Sequence, residues 1–110
     1  MRFLINFLSI KYSGGIILPR GKEFTEEILD TFEKVDYLLN GMIKDRGVPR
    51  NIKRVAQKGI DELQRDDDTP AVLASNVMYM ITDLSQDANI PFHSRTTIYR
   101  IISLLENIKD

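Results

Sequence analysis

His93 is the only histidine in the chain, and Ser94 follows it directly. A serine nucleophile needs a base placed to take its proton, with a carboxylate behind that base. Sequence neighbours share a proton poorly, so His93 reads as structural, hydrogen-bonding around a chain corner. Near a helix N-terminus the dipole also favours neutral imidazole. One histidine and no cysteine leave no thiolate chemistry, no iron–sulfur cluster and no cysteine or multi-histidine zinc site. Asp66, Asp67 and Asp68 offer carboxylate oxygens to a hard cation, but consecutive carboxylates seldom converge and no EF-hand spacing follows. They read as a solvated, capping linker. "YSGGII" lacks the GxGxxG spacing, and "PRGKEF" lacks the upstream glycine and following hydroxyl of a P-loop. The expectation is no catalytic residue, no metal and no cofactor.

The cations are more informative. Arg50, Lys53, Arg54 and Lys58 step by three, one and four residues, so several project together from one helix. From Arg46 to Arg65 six cations face two anions, and from Glu23 to Asp36 six anions face one cation. Three readings fit: neighbouring helices with complementary polar rims, a phosphate-contacting surface, or a surface for a protein partner. No aromatic residue interleaves the basic ones, which argues against stacking on single-stranded bases. A net charge of −1 argues against a protein that holds nucleic acid by bulk charge. With Phe92, His93 and Arg95, these four cations form the candidate interaction surface.

Positioning them requires helices. Ile28, Leu29, Phe32, Val35, Leu39, Met42 and Ile43 recur at three- and four-residue steps, which line one helix face. Thr25 suits its N-cap, with Phe24 stapled onto Leu29 and Glu26 and Glu27 at the positive dipole end. Gly47 and Val48-Pro49 end this pattern, and a second helix starts near Pro49 with the stripe Ile52, Val55, Ala56, Ile60 and Leu63. Gly59 lies near this stripe, where a close helix crossing would explain it. Asp68 or Thr69 caps a third helix that Pro70 opens and that runs to about Leu84. Pro91 opens a fourth, carrying Ile98, Ile101, Ile102, Leu105 and Ile108. Tyr37, Tyr79 and Tyr99 read as core tyrosines with reachable hydroxyl partners, and Met78 and Met80 as core fillers. Tyr37, Leu38 and Met78 lie beside the main stripes, so helices one and three carry apolar residues on more than one side.

The two halves overlay at an offset of 42 residues. Val35 falls on Val77, Tyr37 on Tyr79, Asp45 on Asp87, Pro49 on Pro91, Ile60 on Ile102 and Leu63 on Leu105. Both corners read aspartate-x-x-apolar-proline. This period fits a HEAT-type helical hairpin, but such solenoids need about three copies. Two hairpins are expected to close on each other as an all-α four-helix array over residues 25–110, with homodimerisation as a further expectation.

Residues 1–24 form an N-terminal extension, read as weakly ordered or a short strand; a start codon upstream of the fold is an alternative. The apolar run from Phe3 to Ile10 is short for a signal peptide, and no run reaches the roughly 18 apolar residues of a membrane helix.

"VPRNI" at the first corner, Asp67 to Pro70 with Ala71 and Ala74, and Pro91, His93, Arg95 and Thr96 resemble the archaeal UPF0147 family over about Glu26 to Ile108. The resemblance implies a small cytoplasmic helical protein and carries over no catalytic residues; residues 1–24 depart from it. The expected role is an interaction or scaffold module without catalysis, partnered by itself or another protein. The alternative is an RNA- or ribosome-associated protein using the basic face of the second helix.

Overall fold

A computed structural model describes residues 23–109. Of the expected N-terminal extension, only Glu23 and Phe24 fall among the described residues. Four helices follow one another: α1 (Glu26–Lys44), α2 (Arg50–Leu63), α3 (Pro70–Leu84) and α4 (Phe92–Leu105). No strand occurs among the described residues.

Their ends follow from local chemistry. Thr25 Oγ1 accepts the Ile28 N–H at 3.2 Å, and Thr69 Oγ1 accepts the Val72 N–H at 3.4 Å. Pro70 then occupies the first helical turn, where its missing N–H removes nothing. Pro49 and Pro91 sit one position earlier than the first turn, as N-caps in extended conformation. Their carbonyls accept from Ile52 and Lys53, and from Ser94 and Arg95. A proline forces the residue before it out of helical geometry. That residue is Val48 in one corner and Ile90 in the other, and both are buried. Each corner thus turns the chain and adds an apolar side chain to the core.

The helices close into a ring: α1 packs on α2, α2 on α3, α3 on α4 and α4 on α1. The 42-residue offset becomes a pseudo-twofold relation between hairpins α1–α2 and α3–α4. Val35 and Val77, Leu39 and Ile81, Met42 and Leu84, Ala56 and Ile98, and Leu63 and Leu105 are all buried at equivalent positions. Burying each large aliphatic side chain contributes roughly 1.5–3 kcal/mol. Phe24 joins the core edge-to-face on Phe32, ring centroids 6.4 Å apart. Gly59 is buried, and a Cβ there would lie 3.3 Å from Leu39 Cδ1 and 3.6 Å from Val77 Cγ1. Side chains from α1 and α3 thus close over this glycine.

The tyrosine expectation needs correction. Tyr37 is 71% exposed, Tyr79 84% and Tyr99 55%. Tyr37 and Tyr79 stand opposite the core stripes of α1 and α3, so their spacing was helical but out of phase with the core.

Candidate functional site

Both connections of the type aspartate-x-x-apolar-proline lie at one end of the bundle, with the N-termini of α2 and α4. Each aspartate closes its own corner. Asp45 Oδ1 accepts the Gly47 N–H at 2.8 Å, and its carbonyl accepts the Val48 N–H at 3.2 Å. Asp87 repeats this with the Asn89 N–H at 2.8 Å and the Ile90 N–H at 3.3 Å. A short carboxylate side chain that satisfies backbone donors two residues on is why aspartate suits such turns.

The second carboxylate oxygen of each corner reaches the other hairpin. His93 Nε2 lies 2.6 Å from Asp45 Oδ2. Asn51, the residue equivalent to His93 at the 42-residue offset, donates from Nδ2 to Asp87 Oδ2 at 3.4 Å. The hairpins therefore clasp each other reciprocally. Hydrogen bonding from His93, and next from the Gly47 N–H, holds the Asp45 carboxyl below the usual carboxylate range. Ser94, beside His93, is buried, and its Oγ has no hydrogen-bond partner. His93 points to Asp45 on the surface while Ser94 points inward, so no serine–histidine pair forms.

The remaining candidates take different environments. Arg95 is half-buried and donates from Nε to the Ser85 carbonyl at 3.2 Å and from Nη2 to the Asp87 carbonyl at 3.1 Å. It ties the C-cap of α3 at Ser85 to the following corner at Asp87, beyond the helix end, where a cation also complements the helix dipole. Lys53, its equivalent, is half-buried and acts on Asp45 through charge alone. Phe92 is 82% exposed. Arg50, Arg54 and Lys58 are exposed on α2.

Among the described residues no ion pair joins α1 to α2. The reading of complementary rims fails for a geometric reason. The two helices run antiparallel, so the acidic first turn of α1 lies beside the C-terminal part of α2, whereas the cations cluster at α2's start. The acidic first turn of α1 and the basic first turn of α2 therefore lie at opposite ends of the bundle. Lys44, Arg46, Arg50, Lys53, Arg54 and Arg95 lie toward the corner end; Glu23, Glu26, Glu27, Asp61 and Glu62 lie toward the other. At that far end Arg65 gathers Glu62 at 2.7 Å and Asp67 at 2.9 Å, and Glu62 also accepts from Asn76 at 2.7 Å. The aspartate run thus carries a linker. Among the described residues no group of three His, Cys, Asp or Glu side chains is placed to hold a metal ion.

Asp36 escaped the sequence reading. It is 1% exposed on the inner side of α1. Burial, then the charge of Glu33, pushes its carboxyl up to about 7, against the opposing hydrogen bond from Asn40. Asn40 Nδ2 reaches Oδ2 at 3.3 Å, while Oδ1 has no partner. A signal existed: Asp36 is four residues from Phe32 and one from Val35, on the apolar stripe, and Met78 is its equivalent in the second hairpin.

A family profile described as "Uncharacterised protein family (UPF0147)" matches residues 21–108. A UPF0147 protein of Methanothermobacter thermautotrophicus is 38% identical over 81 residues, covering 74% of this chain and 79% of that protein. One from Saccharolobus islandicus is 44% identical over 73 residues, covering 66% of this chain and 82% of the relative. The crystal structure of a protein of this family from Thermoplasma acidophilum superposes with a TM-score of 0.72 at 32% identity, covering 77% of this chain and all of that one. A second crystal structure, of a protein described as of unknown function, gives 0.73 at 30% identity, covering 82% of this chain and 100% of the other.

Proposed function

The chain belongs to the UPF0147 family, and from that premise we propose that it is a non-catalytic cytoplasmic interaction module that pairs with a second copy of itself through the outward face of α3. The observation that carries this reading is Tyr79, 84% exposed in the middle of that face. Val72, 38% exposed, and Ser75 share the face at helical spacing. From Pro70 to Thr82 the helix holds no charged residue. A twofold interface places the same patch against itself. An uncharged patch can meet its copy without like-charge repulsion, whereas the acidic outer side of α1 and the basic one of α2 cannot. Tyrosine suits such a contact because it buries a large ring at low entropy cost.

A non-catalytic role is supported by the engagement of His93 with Asp45 and by the inward placement of Ser94. No helix among the described residues is long and apolar enough to cross a membrane.

Sedimentation velocity at micromolar concentration tests the pairing. The wild type is expected to sediment as a dimer, Tyr79→Glu as a monomer, and Tyr37→Glu, on α1, as a dimer. A wild type that stays monomeric, or a Tyr79→Glu variant that still pairs, refutes the reading.

A further inference from the structure

The start of α2 is built against its own stability. Arg50 and Lys53 occupy the first turn of a helix whose N-cap, Pro49, contributes no side-chain hydrogen bond. The helix dipole puts positive partial charge at that end, so cations there are unfavourable. No carboxylate among the described residues pairs with Arg50, Arg54 or Lys58. The bundle also segregates charge, holding the acidic first turn of α1 at the far end. The carboxylates that share this end, Asp45 and Asp87, are engaged by Gly47, His93, Asn51 and Asn89, and a row of unpaired cations running from an electropositive helix end fits an external anion.

We propose that this edge of α2, from Arg50 through Arg54 to Lys58, contacts the phosphate backbone of double-helical RNA. Three features select that occupant. The edge carries polar and charged side chains (Asn51 and Gln57 between the cations) and no aromatic residue, so it lacks the aromatic anchors typical of tight protein interfaces. The same lack removes the stacking platforms that hold single strands. Arg and Lys side chains and helix N-termini are usual phosphate ligands, whereas the Asn51 and Gln57 amides donate to Asp87 and Asp61. Finally, α2 is flanked on both sides by α1 and α3. Packed between two neighbours, it can lie across the wide, shallow minor groove of A-form RNA but is not a free helix that enters the deep major groove of B-form DNA. Spacing supports contact along one line: residues four apart on a helix rise about 6 Å, so the three cations span about 12 Å. This binding face is separate from the α3 face and stands whether or not the chain dimerises.

Fluorescence anisotropy of the full chain with a short labelled RNA duplex tests the proposal. The wild type is expected to bind at low salt, with a slope of log affinity against log salt of about −2 to −3 for three phosphate contacts. Arg50→Glu/Arg54→Glu should weaken binding roughly tenfold or more and bring the slope toward about −1. Both side chains are exposed, so far-ultraviolet circular dichroism should match the wild type. The charge-matched Arg100→Glu/Lys109→Glu variant, on α4 and at the chain's end, should bind as the wild type does. No binding at low salt overturns the proposal. So does equal loss in both double variants, which would mean bulk charge. So would equal affinity for a DNA duplex, or displacement of the RNA by an equally charged polyglutamate.

Discussion

Replacing Asp36 offers the sharpest test of how this core is built. Its carboxyl ionises at about 7 in the fold against 3.8 ordinarily. The folded chain therefore binds this proton more tightly than the unfolded chain does. Unfolding releases a proton between those two values, so stability falls as pH rises through that window. At about 1.4 kcal/mol per pH unit, the ionised group costs the fold on the order of 4 kcal/mol above pH 7. Asp36→Asn preserves shape and removes the titration. Asp36→Met installs the residue that the second hairpin carries at position 78. Urea unfolding followed by circular dichroism, at pH 5 and pH 8, gives each protein's stability inside the window and above it. The wild type should lose about 2–3 kcal/mol more than either variant on going from pH 5 to pH 8, because about two pH units of the window lie above pH 5. Because other groups titrate alike in all three proteins, the difference between them isolates Asp36. Parallel stability–pH curves would mean that water reaches this carboxylate in the fold, and the account of Asp36 as a buried acid would be refuted.

Removing the His93 contact by His93→Ala should let the Asp45 carboxyl titrate closer to its usual range, since that hydrogen bond is the largest cause of its low value; a carboxyl-detected NMR titration reads this directly. In the wild type the low Asp45 value contributes stability that is present above the unfolded value and is lost as pH falls through the folded one. Gly59→Val should destabilise by about 1–3 kcal/mol through overpacking against Leu39 and Val77, read as a lowered urea midpoint. Leu39→Ala should cost about 2–5 kcal/mol by leaving a cavity at a fully buried site. Thr69→Ala should cost about 1 kcal/mol by removing the cap that accepts the Val72 N–H.

Much of this molecule is legible residue by residue. Pro49, Pro70 and Pro91 each announce a helix start because the ring's geometry is local and needs no partner. The stripe Phe32, Val35, Leu39, Met42 announces the buried face of α1 because helical phase is also local. The tyrosines were misread for want of phase: Tyr37 follows Asp36 by 100° around the helix and leaves the core entirely. Residue type suggested burial, and angular position decided against it. Asp36 was missed in the opposite sense, since a carboxylate is ordinarily an outside residue. Arg95 was grouped with the surface cations, yet the carbonyls of the α3 cap residue Ser85 and of Asp87 in the corner engage it. Nothing in its spacing from Arg50 reveals a partner eight or ten residues upstream.

By itself the sequence determined four helices, three proline-marked starts, the duplication and most of the core, because each depends on contacts within a few residues or on periodicity. Only the tertiary structure decided that the two corners would lie together. His93 reaches across 48 residues to Asp45, and Asn51 across 36 to Asp87. Those bonds exist because ring closure brings the ends of two hairpins to one side. The same closure sets antiparallel neighbours side by side, and so puts the acidic first turn of α1 and the basic first turn of α2 at opposite ends of the bundle.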